Sequence, residues 1–364
     1  MPLYIGLPTR LFATLNVKLQ KFLLFFLWPF LDYALYRRLY LKSVELQKKY
    51  HFDAVIGVHN PIEALVAVNH LGHKYKELPC IYYYIDALSG GNLVRMKEEN
   101  FRHLFFRKIF FKMAKRWEVY ISQGAKRIIA MEAARDHYTK YFVKTELYDK
   151  LVFLNVPLFE EPRTATASLQ DTTCPIMVDN KITVLFCGSI YSLRDPTYII
   201  KVVELLDRDD IQWVFIGSYD RKFKKILCDA QTRNPERFKI YDRIPHDQLV
   251  HHLNRADFFL NIGERLPSVF SGKVFEYISY GKPIISTFPI RDNSSIAVLQ
   301  KYPNSLILFD DEDIYEATEK LRHFLNENFN KRISYNTMEK LLRTSTPDAF
   351  VDTIESVLAE TAHV

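Results

Sequence analysis

Along this chain, short apolar runs alternate with stretches in which apolar residues return every three or four positions. FDAVIGV (52–58), PCIYYYIDAL (79–88), RIIAM (127–131) and LVFLNVP (151–157) have the length of buried strands. PIEALVAVNHLGHKY (61–75), a segment over Glu98–Ser122 in which Phe, Arg and Lys interleave, and Ala133–Phe142 carry helical spacing between them. After residue 180 the alternation resumes. ITVLFCGSI, IQWVFIGS, RFKIYDRI, ADFFLNIG and KPIISTF read as strands, with helices beginning near Thr197, Lys222 and Asp247. Two final helices are predicted over Tyr315–Asn326 and Pro347–Glu360. Strands alternating with helices predict parallel, doubly wound sheets, so the fold class is α/β with two Rossmann-like domains. The stretch from Glu160 to Asn180, rich in Pro, Thr, Ser and Asp, has no period and reads as a linker. The division expected is a first domain over 1–160, a linker over 161–180, a second domain over 181–340, and a last helix over 341–364 that returns to the first domain. Two such lobes facing a central cleft would present the loops after their strand ends, and the start of the helix at Lys273, to a ligand.

Composition changes this picture little, and charge changes it more. At 364 residues, 48% hydrophobic and 25% charged, the chain has length for two domains that each bury a core. Four cysteines without CxxC spacing suggest neither a disulfide framework nor a zinc site, and fit a reducing cytosol. Residues 1–150 hold 24 Lys and Arg against 13 Asp and Glu, and the remainder holds 25 against 30. A basic first half suits phosphate groups, in anionic lipid or in a lipid-linked pyrophosphate; a merely solvated charged face is the other reading. The apolar run Phe22–Phe30 falls short of the roughly 20 residues a membrane span needs. It is either a core helix or an interfacial one, with Trp28, Tyr33, Tyr36 and Tyr40 beside Lys18, Lys21, Arg37 and Arg38, giving peripheral association with the inner membrane face.

The segment that carries most chemistry is SGKVFEYISYGKPIIS (271–286). Ser271 and Gly272 open a helix whose N–H groups, with Lys273 beside them, suit a diphosphate. Glu276, one turn on and on the same face, can accept from two ribose hydroxyls. The same residues also fit an exposed i,i+3 pair on a helix that Gly281 ends. The order of Ser-Gly, Lys, two apolar residues, Glu-Tyr and Gly-Lys-Pro-Ile resembles the donor motif of glycosyltransferase family 4, whose members have the two-domain GT-B fold. That resemblance implies that Glu276 holds a nucleotide ribose and Lys273 faces donor phosphates. Where the family often has a further glutamate near the sugar, this chain has Ser268. VLFCGSIYSLRDPTYIIKVVELL resembles the strand, glycine turn and helix that open the family's donor domain. It implies that Gly188 and Ser189 approach the β-phosphate, with Arg194 in place of a phosphate-binding lysine. IYDRIPHDQLVHHLNRADFFLNIG is similar to the segment against which the base lies, with main-chain atoms near Ile244 reading its edge. In the first half, FDAVIGVHNP resembles a strand and HNP-like loop of the family, and YYYIDAL the strand whose end faces the donor sugar, which makes His59 and Asp86 candidates to hydrogen-bond sugar or acceptor; a loop histidine and a capping aspartate are the ordinary alternatives. The family's opening strand and Gly-rich loop find no match before FDAVIGV, so the first βα units look missing and the first domain incomplete.

The resemblance implies transfer of a sugar from a UDP- or GDP-linked donor to a hydroxyl of a saccharide or lipid-linked saccharide, with retention, in polysaccharide assembly. It implies no metal and no further cofactor, and nucleic acid is not an expected partner. DRD (Asp207–Asp209) and DED (Asp311–Asp313) match a metal-diphosphate pattern but sit among acidic residues at turns and helix ends, where capping is commoner. No GxSxG, Walker loop, GxGxxG or histidine pair at ligand spacing occurs. A sugar-nucleotide epimerase and a catalytically inactive partner subunit of the same fold remain the alternatives.

Overall fold

A computed structural model describes residues 33–59, 61–85, 87–89, 104–162, 180–267 and 271–362. The run Phe22–Phe30 with Lys18 and Lys21, Asp86 and Ser268 lie outside them. The chain divides into two compact units, one formed by Met1–Val156 with Asp348–Val364 and the other by Pro157–Pro347.

In the first unit, α1 (Tyr33–Tyr50), β1 (Val55–His59), α2 (Ile62–Lys74), β2 (Cys80–Tyr84), α3 (Leu104–Ser122), β3 (Arg127–Met131), α4 (Arg135–Phe142), the single turn α5 (Glu146–Asp149) and β4 (Leu151–Leu154) follow one another. The four strands form one sheet in chain order, all pairs parallel. Alternate residues of β2 and β3 point to opposite sides, and both sides are covered. Tyr82, Tyr84, Ile128 and Ala130 pack with Leu65, Ile121 and Phe142 from helices on one face. Ile81, Tyr83 and Ile129 meet Val357 of the last helix on the other. The described loop 87–89 after β2 is held by Glu118, a fully buried carboxylate. It accepts from the Leu88 and Ser89 N–H groups at 3.0 Å each, from the Tyr138 hydroxyl at 2.8 Å, and from the Ser89 hydroxyl. Burial pushes its pKa up and these donors oppose the rise, so the carboxyl is a structural anchor for this loop.

The second unit runs β5 (Ile182–Ile190), α6 (Thr197–Leu206), β6 (Ile211–Tyr219), α7 (Arg221–Arg233), β7 (Phe238–Asp242), α8 (His246–Arg255), β8 (Phe258–Ile262), α9 (Gly272–Ser279), β9 (Ile284–Phe288), α10 (Ser294–Leu299), β10 (Ser305–Phe309), α11 (Ile314–Asn328) and α12 (Tyr335–Leu341). The chain ends in α13 (Pro347–Ala362). All five strands expected here form, and a sixth, β10, joins them as an edge strand that is only partly buried. The sheet order is β10-β9-β8-β5-β6-β7, again all parallel. Val184, Phe186, Trp213, Phe215 and Leu260 feed a core on one face, and Leu185, Cys187, Val214, Ile216 and Phe259 feed one on the other. Burial on both faces is why these strands read as unbroken apolar runs. No helix among the described residues is long and apolar enough to cross a membrane.

Two details tie this unit together. Gly281 follows α9 at φ 66°, and a Cβ there would lie 2.0 Å from the carbonyl oxygen of Ile333, whose N–H donates to the Gly281 carbonyl at 2.9 Å. Lys282, buried beside it, donates to the carbonyls of Leu253, Asn254 and Ala256 and so closes the C-terminus of α8. Gly281→Ala is expected to lower unfolding free energy by about 2–4 kcal/mol, because strain and collision add. Urea midpoints equal to wild type would contradict this. His252 of α8 is fully buried with both ring nitrogens unpartnered, and burial pulls its pKa from 6.5 down to about 4. The fold therefore accommodates the neutral ring. Stability is full above pH 6.5 and declines as pH falls toward 4, by about 3 kcal/mol from this group. In urea titrations across that range, His252→Leu is expected to flatten the decline, and an unchanged slope would count against the assignment.

Candidate functional site

The second sheet changes direction between β5 and β8: the chain winds outward through β6 and β7, then returns to add β8, β9 and β10 on the other side. A crevice outside the carboxyl ends of the strands is expected at such a point. Here the two strands are in register only at Val184 with Phe258 and Leu185 with Phe259, whereas β5 stays paired with β6 along all nine residues. Beyond Leu185, the main chain of β5 therefore loses β8 as a partner. Tyr277 of α9 fills that role. Its hydroxyl accepts from the Cys187 N–H at 2.9 Å and donates to the Cys187 carbonyl at 3.4 Å, while its ring stacks on Phe259 at 4.4 Å. Burial pushes the Cys187 thiol's pKa well up, so it is a packing residue rather than a nucleophile.

α9 is oriented by its own pattern. Val274, Phe275, Tyr277 and Ile278 are buried, which leaves Lys273, Glu276 and Tyr280 on the open face. Ser271 precedes the helix without capping it through its side chain, and its own N–H donates to the Ser295 hydroxyl. A Cβ on Gly272 would meet the Cδ1 of the exposed Leu158 at 2.7 Å, so that side chain would have to turn aside. Leu158 belongs to the segment 157–162, which is pinned by the buried Phe159. Phe159 stacks on Tyr335 at 4.8 Å and donates its N–H to Ser345.

Around the start of α9 lie two adjoining cavities. One of about 540 Å³ is lined by Arg194, Glu264, Ser271, Gly272, Lys273 and Glu276, with Leu158, Glu160 and Glu161 at its side. The other, of about 310 Å³, is lined by Gly188, Ser189, Gly217, Arg243, Ile244 and Lys273. Lys273 and His246 belong to both. Gly188, Ser189, Arg194, Ile244, Ser271, Gly272, Lys273 and Glu276, drawn from three separated segments, are thus brought to one place. At the strand ends, β5 and β6 approach so closely that a Cβ on Gly217 would sit 1.7 Å from the Gly188 carbonyl oxygen. His59 ends β1 in the first unit, buried with its ring 5.8 Å from that of Tyr84.

Two cations of the site, Lys273 and Arg194, are paired with carboxylates. Lys273 Nζ lies 2.5 Å from Glu276 Oε2, in a pair about a quarter to a third exposed. Arg194 Nη2 lies 2.8 Å from Glu264 Oε1, and both side chains are only 10% exposed. Glu264 was not visible as a site residue in the sequence, because its partner stands 70 positions earlier and no spacing rule links them. The acidic patterns at DRD and DED have structural work instead. Asp207 and Asp209 pair with Arg237, and Asp313 caps α11 by accepting from the N–H groups of Tyr315 and Glu316.

Residues 176–340, most of the second unit, match the family described as Glycosyl transferases group 1. No curated protein matches the chain in sequence. Among solved structures, the fold is similar to an α,α-trehalose-phosphate synthase (UDP-forming) from Burkholderia xenovorans in complex with glucose-6-phosphate, at TM-score 0.61 and 11% identity, over 89% of this chain and 76% of that one. It is similar to a glycosyltransferase from Rickettsia africae ESF-5 at TM-score 0.56 and 13% identity, over 90% and 83% of the two chains. A third likeness is to Anabaena Alr3699/HepE in complex with UDP, at TM-score 0.52 and 16% identity, over 87% and 82%. Identities this low establish likeness of fold alone. Fold and family match together support a glycosyltransferase of the GT-B type.

Tyr277→Phe tests how the crevice is held. It strips both partners from the buried Cys187 main chain and is expected to cost about 1–3 kcal/mol of stability. Thermal or urea unfolding indistinguishable from wild type would show that another group, or water, serves Cys187 equally well.

Proposed function

We propose that the protein transfers a sugar from a nucleoside diphosphate sugar to an acceptor hydroxyl, with the donor bound between β5, α8 and the start of α9. The observation that carries this reading is the convergence on Lys273. The cation stands at the first turn of a helix with no side-chain cap, where the two cavities adjoin and opposite the glycine ends of β5 and β6. A diphosphate is the ligand such a place suits. The helix start and Lys273 attract its charge, and Glu276 stands one turn along to accept from ribose hydroxyls. The smaller cavity, walled by Ile244, Leu249 and Arg243, is the place that this reading gives to the base. The UDP complex of the Anabaena protein of similar fold supports the same ligand class.

On this reading the pairing of Lys273 with Glu276 is a resting arrangement. An arriving diphosphate takes the ammonium, and the freed carboxylate takes the ribose. In the reaction, the bond from the anomeric carbon to the diphosphate breaks while the acceptor oxygen bonds to that carbon, and the acceptor hydroxyl's proton passes to the departing diphosphate oxygen. Charge accumulates on the leaving diphosphate, and the groups that bind it stabilise that charge. Retention at the anomeric carbon, a lipid-linked saccharide acceptor and work at the inner membrane face belong to the proposal. They rest on the resemblance of 271–286 and on the basic excess of residues 1–150.

Calorimetry with UDP and GDP tests the donor site. Wild type is expected to bind at least one of them, and Lys273→Ala and Glu276→Ala each to weaken that affinity about tenfold to a hundredfold. Absence of binding by wild type, or full affinity in both variants, would falsify the reading.

A further inference from the structure

We infer that Glu264 is a positioning residue for Arg194: the buried carboxylate fixes the guanidinium beside Gly188, where it meets the donor's diphosphate. This rests on the donor site proposed above and adds to it a residue that no sequence pattern assigns.

The loops that carry the two residues lie on opposite sides of the gap that opens where β5 and β8 part. Arg194 follows β5 in a tight turn in which its N–H donates to the Tyr191 carbonyl at 2.8 Å. Glu264 follows β8, two residues past its end. The loops are tied by main chain as well, because Arg265 donates its N–H to the Leu193 carbonyl at 2.9 Å. Glu264 stands on a rigid base. Asn293 Nδ2 donates to the Glu264 carbonyl at 3.1 Å and to the Leu266 carbonyl at 3.0 Å, and Asn293 itself caps α10. The Tyr191 hydroxyl also turns to Glu264, and burial together with this carboxylate pushes its pKa up to about 12, so it remains a donor.

Arginine offers five N–H donors, and few of those on Arg194 are taken. Nη2 donates to Glu264 at 2.8 Å and Nη1 to the Ser189 carbonyl at 3.3 Å, while Nε is buried without a partner. Nη1 also lies 3.5 Å from where a Cβ on Gly188 would stand. A guanidinium buried this far, with donors left over, lacks acceptors that an oxyanion can supply. The contrast with Lys273 sharpens the point. Its pair with Glu276 is short, local and part-exposed, and can exchange partners; the pair of Arg194 with Glu264 bridges two loops, is largely buried at the cavity wall, and keeps its geometry when the ligand arrives.

The test is a double-mutant cycle on ligand affinity, using Glu264→Gln, Arg194→Met and the double variant. UDP and GDP are compared with uridine and guanosine. Expected is a loss of at least about fivefold in nucleoside diphosphate affinity for Glu264→Gln, with nucleoside affinity unchanged, and no further loss when the substitution is made in Arg194→Met. A protein merely loosened by the change would lose nucleoside and nucleotide affinity together. The inference is overturned if Glu264→Gln binds diphosphate as well as or better than wild type. It is equally overturned if its effect is the same in the Arg194→Met background, or if both ligand types weaken equally. Failure of wild type to bind any of the four ligands removes the donor site itself, and is thereby distinct from an additive cycle in a protein that binds.

Discussion

The parting of β5 from β8 after Leu185 is the constraint from which the site follows. A doubly wound sheet must reverse its winding somewhere, and at the reversal two neighbouring strands send their following loops to opposite sides. Here the strands also stop pairing two residues into their contact, which leaves the backbone of β5 at Cys187 in need of partners. Tyr277 supplies them, and that single hydroxyl sets how close α9 comes to the strand ends. Because Tyr277 is buried, its neighbours at positions 273, 276 and 280 face outward. The identity of the exposed groups is thus a consequence of which residue mends the sheet.

The same gap explains the charge arrangement. Two loops that diverge need something to span them, and the span includes one main-chain hydrogen bond, the pair of Arg194 with Glu264 and the Tyr191 hydroxyl turned to the same carboxylate. A buried ion pair is rarely a source of stability, since desolvation offsets most of its attraction. An apolar contact would close the gap as firmly. What the pair provides that an apolar contact does not is a fixed, incompletely satisfied guanidinium at the end of β5.

Much of the fold was legible because strands buried on both faces leave unbroken apolar runs, as ITVLFCGSI and IQWVFIGS do. β10 escaped because it is an edge strand: SLILF is short, partly exposed and set in a polar stretch, so nothing distinguishes it until β9 is there to pair with it. Three of the site's segments were legible through local order, namely the glycine at the end of β5, the proline before α8 and the Ser-Gly-Lys at α9. The groups that were not legible all act across long separations. Glu264 matters through Arg194, Tyr277 through Cys187, and Phe159 through Tyr335 and Ser345, each a contact between segments that only the folded sheet brings together.

Lys282 shows where a motif can mislead. It sits in the same GKP sequence as the helix-ending Gly281, and its charge invites a role with phosphate. The structure turns it the other way, into three carbonyls at the C-terminus of α8, with burial drawing its pKa down to about 7. The reason is geometric. Gly281 at positive φ reverses the chain after α9, so the residue that follows points behind the helix and not along its open face. That reversal separates the two lysines of one short motif, leaving Lys273 at the cavities and Lys282 to the frame that holds α8, and with it the wall of the smaller cavity at Ile244 and Leu249, in place.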